Sequence, residues 1–553
     1  LTYHGGPGIP RPVKPRDSAP RYGYRFVCVT GEGCAFLFDD GTADDGADGW
    51  AALRAACRKE NGTEVIVVTD DPGSIARYLY DNPDTGTGRG MQNRNAIIDK
   101  RGGVMPVRSE RAYLRTISWP EPGRKAKGRT HYRACPVICA PEWLDTWKHT
   151  DDVAERLLWL HGFAGELVRT FTGWGVAIRP TPGAVGARFL RDARFWKQPR
   201  RRVPKRINAA ARRHLPGNMY AGEFAGRSVS HAYEADMRSA HHQAAAVVEF
   251  TDADALWAEG ETRTDASRVW RSADDHRYAD LIGRPGLFYL RVRVMDIEET
   301  LGRRFQLPAL REPGEYTVAA WSPEVLHYLT EPGVEVLGVV GAITSRRRPD
   351  EIGPGLNGFA RWALERIAEL DDGTRRRWAK GALLATYGAM AQGPQDSRVI
   401  WGTTPTPKSA PGSVLIGGRL VRAHVSRPPK GAEPIYANVI DRGIIEAKVR
   451  LEALTFARRI ETEGGHVAMI QADAVFIHEL EEHRLAVVMA EMESATEWRV
   501  TEHHDVRFPA ANAVVSDKVD KRPGIPRAGR LPLALFPNDG DTSSGTDPTL
   551  ANS

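Results

Sequence analysis

Asp236 stands in the segment YEADMRSAHHQAA, at the end of a short extended run and just before a helix-like stretch. A carboxylate there can hold a hard divalent cation, and the amides that open the helix can meet phosphate oxygens. An acid before a helix is equally an N-cap. In RRRWAKGALLATYGAMAQ (residues 375–392), Lys380 follows Arg376 by four residues and precedes Tyr387 by seven, so all three share a helical face. Two cations and an aromatic ring suit a nucleoside triphosphate, the cations on its phosphates and the ring against its base. Gly388 leaves room for a close backbone or a base pair. An amphipathic surface helix with snorkelling Arg and Lys reads the same way. In HVAMIQADAVFIHE (466–479), two apolar stretches flank Gln471-Ala472-Asp473. That pattern predicts a hairpin or tight turn with a carboxylate at its tip, a metal ligand or an ordinary turn residue.

A fourth segment is strongly basic. From Arg188 to Arg213 there are eleven Lys/Arg and one acid, Asp192, which is +10 in 26 residues, with Phe189, Phe195 and Trp196 interleaved. Arg200, Arg201, Arg202, Lys205 and Arg206 are its densest part. A strip that repels itself this strongly suits a polyanion, with cations on phosphates and aromatics stacked on bases. A basic linker has the same composition.

The elements that must position these segments are visible in outline. The chain has 553 residues, 41% hydrophobic and 26% charged, with a net charge of +6, enough for roughly three to four folding units. No apolar run approaches the ~20 residues of a membrane helix, so a membrane-spanning protein is excluded. The composition also excludes a collagen, a coiled coil and a disordered chain. All five cysteines lie within the first 139 residues. The nearest pair, Cys135 and Cys139, has no second pair or His at zinc spacing. The N-terminus lacks the basic-then-apolar order of a signal peptide. These features predict a reduced, cytoplasmic, multi-domain protein. Residues 1–21 and 527–553 read as loose tails. Within 22–185, YRFVCVT, GCAFLFDD and TEVIVVTDD read as strands. DGWAALRAACRKE, PGSIARYLYD and DDVAERLLWLHGFAGELVRTF read as helices. Their alternation predicts a compact α/β domain.

Taken in order, the three chemical segments resemble the palm-and-fingers core of family B DNA polymerases. The family's D-x-x-S-L-Y-P is matched at Asp236 and Ser239. Its K-x-x-x-N-S-x-Y-G is matched at Lys380, Tyr387 and Gly388, with Leu384 and Ala385 for Asn and Ser. Its Y-x-D-T-D-S survives only at Asp473. Tyr220-Ala221-Gly222-Glu223-Phe224 resembles the Y-x-G-G/A link of the protein-primed branch, found in phages and linear plasmids. Lys521-Arg522-Pro523-Gly524 resembles that branch's K-x-x-G. The 144 residues from Asp236 to Lys380 and the 93 from there to Asp473 leave room for its two insertions. One insertion grips the priming protein and the other encircles the template. The resemblance covers 186–526 and, more loosely, 22–185.

The resemblance implies a multi-domain α/β and α+β fold. An RNase H-like, exonuclease-type N-terminal domain (22–185) is followed by a palm start with the basic strip (186–250) and by palm plus first insertion (251–354). Fingers (355–392), a second insertion (393–432) and the palm end (433–526) complete it, with a reduced or absent thumb. The implied activity is template-dependent addition of dNTPs to a primer 3′-hydroxyl, using two Mg²⁺ ions that Mn²⁺ can replace. Asp236, Asp473 and the Met237 carbonyl would hold the metals. Arg366, Arg376, Lys380, Tyr387 and His241 would meet the nucleotide, with His241 where the family has its steric-gate Tyr. Arg200, Arg201, Arg202, Lys205, Arg206, Tyr220, Gly222, Arg499 and Lys521 would meet DNA. Two registers fit the third motif. In one, Asp473 is its first acid and Val475 replaces the second. In the preferred one, Asp473 is the second acid and Gln471 replaces the first. Of the exonuclease acids, Glu32, Asp71 and Asp151 can be placed, while Thr30 replaces a fourth, which implies a weak or lost 3′–5′ exonuclease. Expected partners are template and primer DNA, dNTPs and a terminal protein, for a monomer in a bacterial host cytoplasm. The alternative is a catalytically inactive, polymerase-like DNA-binding replication accessory.

Overall fold

The structure, a computed structural model, describes residues 24–30, 35–56, 64–71, 116–126, 129–144, 151–192, 194–196, 203–215, 226–251, 256–259, 283–295, 313–345, 355–370, 373–392, 398–400, 409–416, 419–426, 434–471, 473–492, 497–510, 513–518, 520–521 and 536–537. The chain forms two compact units, each built from two stretches: Leu1–Pro199 with Glu365–Ala437, and Arg200–Leu364 with Asn438–Ser553.

In the first unit, the strands Tyr24–Val29 and Glu64–Thr69 run parallel, and the second also runs parallel to Arg129–Cys139. Apolar residues fill the inner two strands, because a strand with parallel neighbours is covered on both faces. Antiparallel Phe36–Phe38, Ala43–Asp44 and Thr116–Ala126 complete a six-stranded sheet. The helix Val153–Gly173 packs on Tyr24–Val29 and Phe36–Phe38 through Leu157, Leu160, Phe163 and Leu167. Its N-cap is Asp152, whose carboxylate accepts from the amides of Ala154 and Glu155 at 2.8 and 3.2 Å. The same unit holds the helix Thr374–Met390, whose Trp378 lies among Trp143, Phe163 and Phe171. A second helix, Pro182–Phe189, crosses it at Gly186. A Cβ at that position would stand 2.4 Å from the backbone of Ala385 and Thr386, so only glycine permits the crossing. Arg398–Ile400, Arg419–Ser426 and Ser409–Ile416 form a separate antiparallel sheet. Cys28, Cys135 and Cys139 are buried.

The second unit contains two antiparallel sheets. One has the order Phe536–Pro537, Gly314–Trp321, Gly286–Val294, Val334–Ser345, Leu256–Glu259. Thus part of the tail expected to be loose is a sheet edge, with Phe536 opposite Thr317. The other has the order His466–Gln471, Ala474–His478, Ser228–Met237, Trp498–Ala510, Ala513–Val515, Asp520–Lys521. The 24-residue helix Val439–Thr462 lies on the second sheet, with Phe456 stacked on Trp498 at 4.1 Å between ring centroids. Among the described residues, no helix is long and apolar enough to cross a membrane. The helix expected at PGSIARYLYD lies outside the described residues.

Candidate active site

The carboxylate of Asp236 owes its place to sheet register. Its strand, Ser228–Met237, is central in the second unit's six-stranded sheet. Asp236 pairs with Ala474 on one side and Arg499 on the other. Gln471 pairs with Ala474 in turn. Directly paired residues project from the same face, so Gln471, Ala474, Asp236 and Arg499 form one row across four strands. The next row, with Met237 and Trp498, projects from the opposite face.

The hairpin expected around Asp473 is present. Its strands are His466–Gln471 and Ala474–His478, with Asp473 in the turn just before the second. The amide of Met237 donates to the carbonyl oxygen of Asp473 at 3.0 Å, which docks the turn on the end of the Asp236 strand. Val475 pairs with Ala235 and is fully buried. An acid at 475 would face away from Asp236.

Ser239 links Asp236 to the helix Ala240–Val247. It is buried and sits in the left-handed region at φ 52°, ψ 37°. Only glycine enters that region freely, and other residues pay roughly 1–2 kcal/mol. Its carbonyl oxygen accepts from the amides of His242 and Gln243 at 2.8 and 3.1 Å, opening the helix on which half-buried His241 occupies the first turn. Backbone held in this region is enriched at active sites and ligand clamps. No residue type in DMRSA announced it.

Behind Asp236 on the same face lies Glu234, 2.9 Å from Nε2 of His503, whose Nδ1 is 2.8 Å from Ser516 Oγ. Ser516 Oγ also accepts from the Lys518 amide at 3.1 Å. His503 thus bridges the Glu234 carboxylate and the Ser516 hydroxyl. Lys521 follows in a two-residue strand, opposite Val514. Sequence reading missed this relay because its members are far apart in the chain.

In the first unit, the helix Thr374–Met390 is formed as expected, but its faces differ. Arg376 and Lys380 are half-buried, while Tyr387 is 0% exposed. The ring expected against a base is a core residue. The open stripe of that helix contains Arg377, Gly381 and Gly388, and a Cβ at either glycine would meet nothing within 4 Å. Arg376 Nη1 donates to the Leu370 carbonyl oxygen at 3.4 Å. Arg366 is ion-paired with Glu369 at 2.8 Å.

The basic strip divides in the same way. Phe189 and Phe195 are buried, so they do not stack on bases as expected. Burial of each is worth roughly 1.5–3 kcal/mol, which outweighs the pull of neighbouring charges. Arg194 is tied to Asp192 and to the Trp174 carbonyl oxygen, both at 2.8 Å. Burial, reinforced by Arg179, holds Arg188 below the usual guanidinium range. In the second unit, the helix Lys205–Arg213 exposes Lys205, Arg206 and Arg213 over buried Ile207, Asn208 and Ala211. Arg200, Arg201, Arg202, Tyr220, Gly222 and Glu32 lie outside the described residues. Asp71 is half-buried, its amide donating to Thr69 Oγ1 at 3.1 Å. Asp151 is exposed, just before the N-cap. Asp70 and Arg156, which sequence reading did not single out, form a buried ion pair. Arg156 was visible in one respect: it shares the helix's apolar face with Leu160, Phe163 and Leu167.

No family model matches the sequence, and no curated protein matches it. Solved structures do match the fold. Phi29 DNA polymerase complexed with single-stranded DNA superposes with a TM-score of 0.54 at 12% identity. Its complex with primer–template DNA and incoming nucleotides gives 0.53 at 11%, and an orthorhombic crystal form of the polymerase gives 0.53 at 12%. Each comparison covers 89% of this chain and 87% of the other. The chain has the fold of phi29 DNA polymerase.

Proposed function

We propose that this chain is a template-dependent DNA polymerase that adds deoxynucleotides to a primer 3′-hydroxyl in protein-primed replication of a phage or linear plasmid. One observation carries the reading. Asp236 and Asp473 are held at hydrogen-bonded ends of adjacent strands, in the motif order the family requires. Their oxygens suit Mg²⁺, which keeps its waters and uses few carboxylates, and Mn²⁺ suits them too. Among the described residues, no three or more His, Cys, Asp or Glu gather as a metal site. Asp236, Asp473 and the Met237 carbonyl would hold a pair of such ions, with waters completing their shells. Bound there, two such ions would stabilise the attacking and leaving oxygens of phosphoryl transfer.

The chain's own residues do the remaining work in this proposal. Lys380 and Arg376 neutralise the triphosphate. Gly381 and Gly388 offer a surface without side chains. His241 stands beside the sugar, and Arg499 beside the primer end. Exposed Lys205, Arg206 and Arg213 bind phosphates without reading sequence, so base choice falls to pairing with the template. A terminal protein supplies the first hydroxyl, and the polymerase acts as a monomer in the bacterial cytoplasm.

Primer extension on a primed single strand, with Mg²⁺ and four dNTPs, tests this. Wild type extends the primer. Asp236→Asn and Asp473→Asn lose at least about a hundredfold in rate, given the several kcal/mol such charge stabilisation supplies, while still binding DNA in fluorescence anisotropy. A wild type that binds but never extends would instead be a replication accessory.

A further inference from the structure

The family resemblance implies divalent ions among acids at the strand ends of the N-terminal sheet. The residues described there do not fit them. Asp70 directly follows the strand Glu64–Thr69, and its side chain is 2% exposed. Its Oδ2 lies 3.6 Å from Nη1 of Arg156, whose side chain is 1% exposed. Asp152 turns its Oδ1 to the amides of its own helix. Thr30, fully buried, ends the parallel neighbour strand in place of an acid.

A guanidinium and a divalent ion compete for the same carboxylate oxygens. Arginine does not deprotonate in proteins, so this cation cannot be titrated away. An arriving metal would meet a fixed like charge in a buried site, where charges are poorly screened. We infer that Arg156 is the resident cation of the N-terminal unit. It takes the place a divalent ion would have at Asp70, the acid just after the strand and one residue before the aligned Asp71, and leaves the unit non-nucleolytic. This inference does not depend on polymerase activity.

Thermal unfolding of the full chain tests it, in an Asp236→Asn background so that metal binding there does not contribute. Arg156→Gln leaves a buried carboxylate uncompensated and lowers the midpoint by at least about 6 °C. Adding Asp70→Asn to it recovers much of the loss. Millimolar Mn²⁺ raises the midpoint of Arg156→Gln but not that of the Arg156 parent. The wild-type chain leaves a 5′-labelled single strand unshortened with Mg²⁺ or Mn²⁺. Shortening that Asp70→Asn abolishes would overturn the inference. So would an Mn²⁺-dependent rise in the parent that Asp70→Asn removes, or strictly additive effects of the two substitutions. If Arg156→Gln alone does not fold, Arg156→Lys and the double variant decide: both folded supports the pair, and a double variant as unfolded as the single overturns it.

Discussion

The amide of Met237 donates to the carbonyl oxygen of Asp473 at 3.0 Å, one position beyond the register pair Asp236–Ala474. Asp473, in the hairpin turn, is thus tied by a backbone hydrogen bond to the end of the strand that carries Asp236. Sites built on such rigid elements hold their geometry before any ligand arrives.

Gln471 shares a row with Asp236, separated from it only by Ala474. Gln471→Asp adds a carboxylate to that face. The magnesium concentration for half-maximal primer extension should fall by roughly tenfold, about 1.4 kcal/mol of added attraction. A magnesium titration that is unchanged would remove Gln471 from the site.

His241 occupies the first turn after Ser239, where a Tyr plate would exclude a ribose 2′-hydroxyl. Imidazole is shorter and has nitrogens able to hydrogen-bond that hydroxyl. His241→Tyr should raise the dCTP-over-CTP ratio of kcat/KM by at least about tenfold. If the ratio stays put, His241 is not at the sugar.

Three glycines separate stability from function. Gly186→Val forces side-chain atoms into the backbone of Ala385 and should cost about 1–3 kcal/mol or more, read as a fall in thermal midpoint. Gly381 and Gly388 face open space, so Ala at either should stabilise the helix by up to about 1 kcal/mol. Gly388→Leu should nevertheless lower kcat/KM for the incoming nucleotide. Unimpaired kinetics in that variant would show that nothing docks on the stripe.

Lys205 and Arg206 are exposed, while Ile207 and Asn208 beside them are buried. Changing the two cations to Ala should leave the fold intact. The log–log salt dependence of DNA binding should flatten by about 0.7–0.9 for each phosphate that the helix no longer neutralises. An unaltered slope would make this helix a bystander.

Much of the fold was legible, for reasons that also explain the gaps. YRFVCV and EVIVVT announced themselves because both faces are covered. The hairpin at Asp473 did so because two apolar runs break at one polar pair. Arg499 opposite Asp236 could not be read, since register between distant strands has no local signature. Tyr387 illustrates another limit. Helical spacing showed which residues share its face, but not that neighbouring elements would bury it.

Two half-buried histidines set an acid limit on stability. Burial, reinforced by Arg213, lowers His214 from its ordinary range. Burial also lowers His327, with Glu331 opposing and Arg458 adding to the shift. A folded pKa below the unfolded value of about 6.5 means that the unfolded chain binds more protons in this window. Their contribution is complete above about pH 6.5 and drains as pH falls below it. The thermal midpoint should drop from pH 7 towards 5.5, and His214→Gln with His327→Gln should flatten that decline.

The closeness of Gly186 to Ala385 sets a timetable for synthesis. The helix Pro182–Phe189 leaves the ribosome about two hundred residues before its partner exists. At roughly 5–20 residues per second, it waits some 10–40 s. During that interval the face meant for Ala385 and Thr386 is open, and the intervening chain of the second unit is emerging. Folding of the first unit is therefore held back by translation itself, and a nascent-chain chaperone has its longest opportunity there.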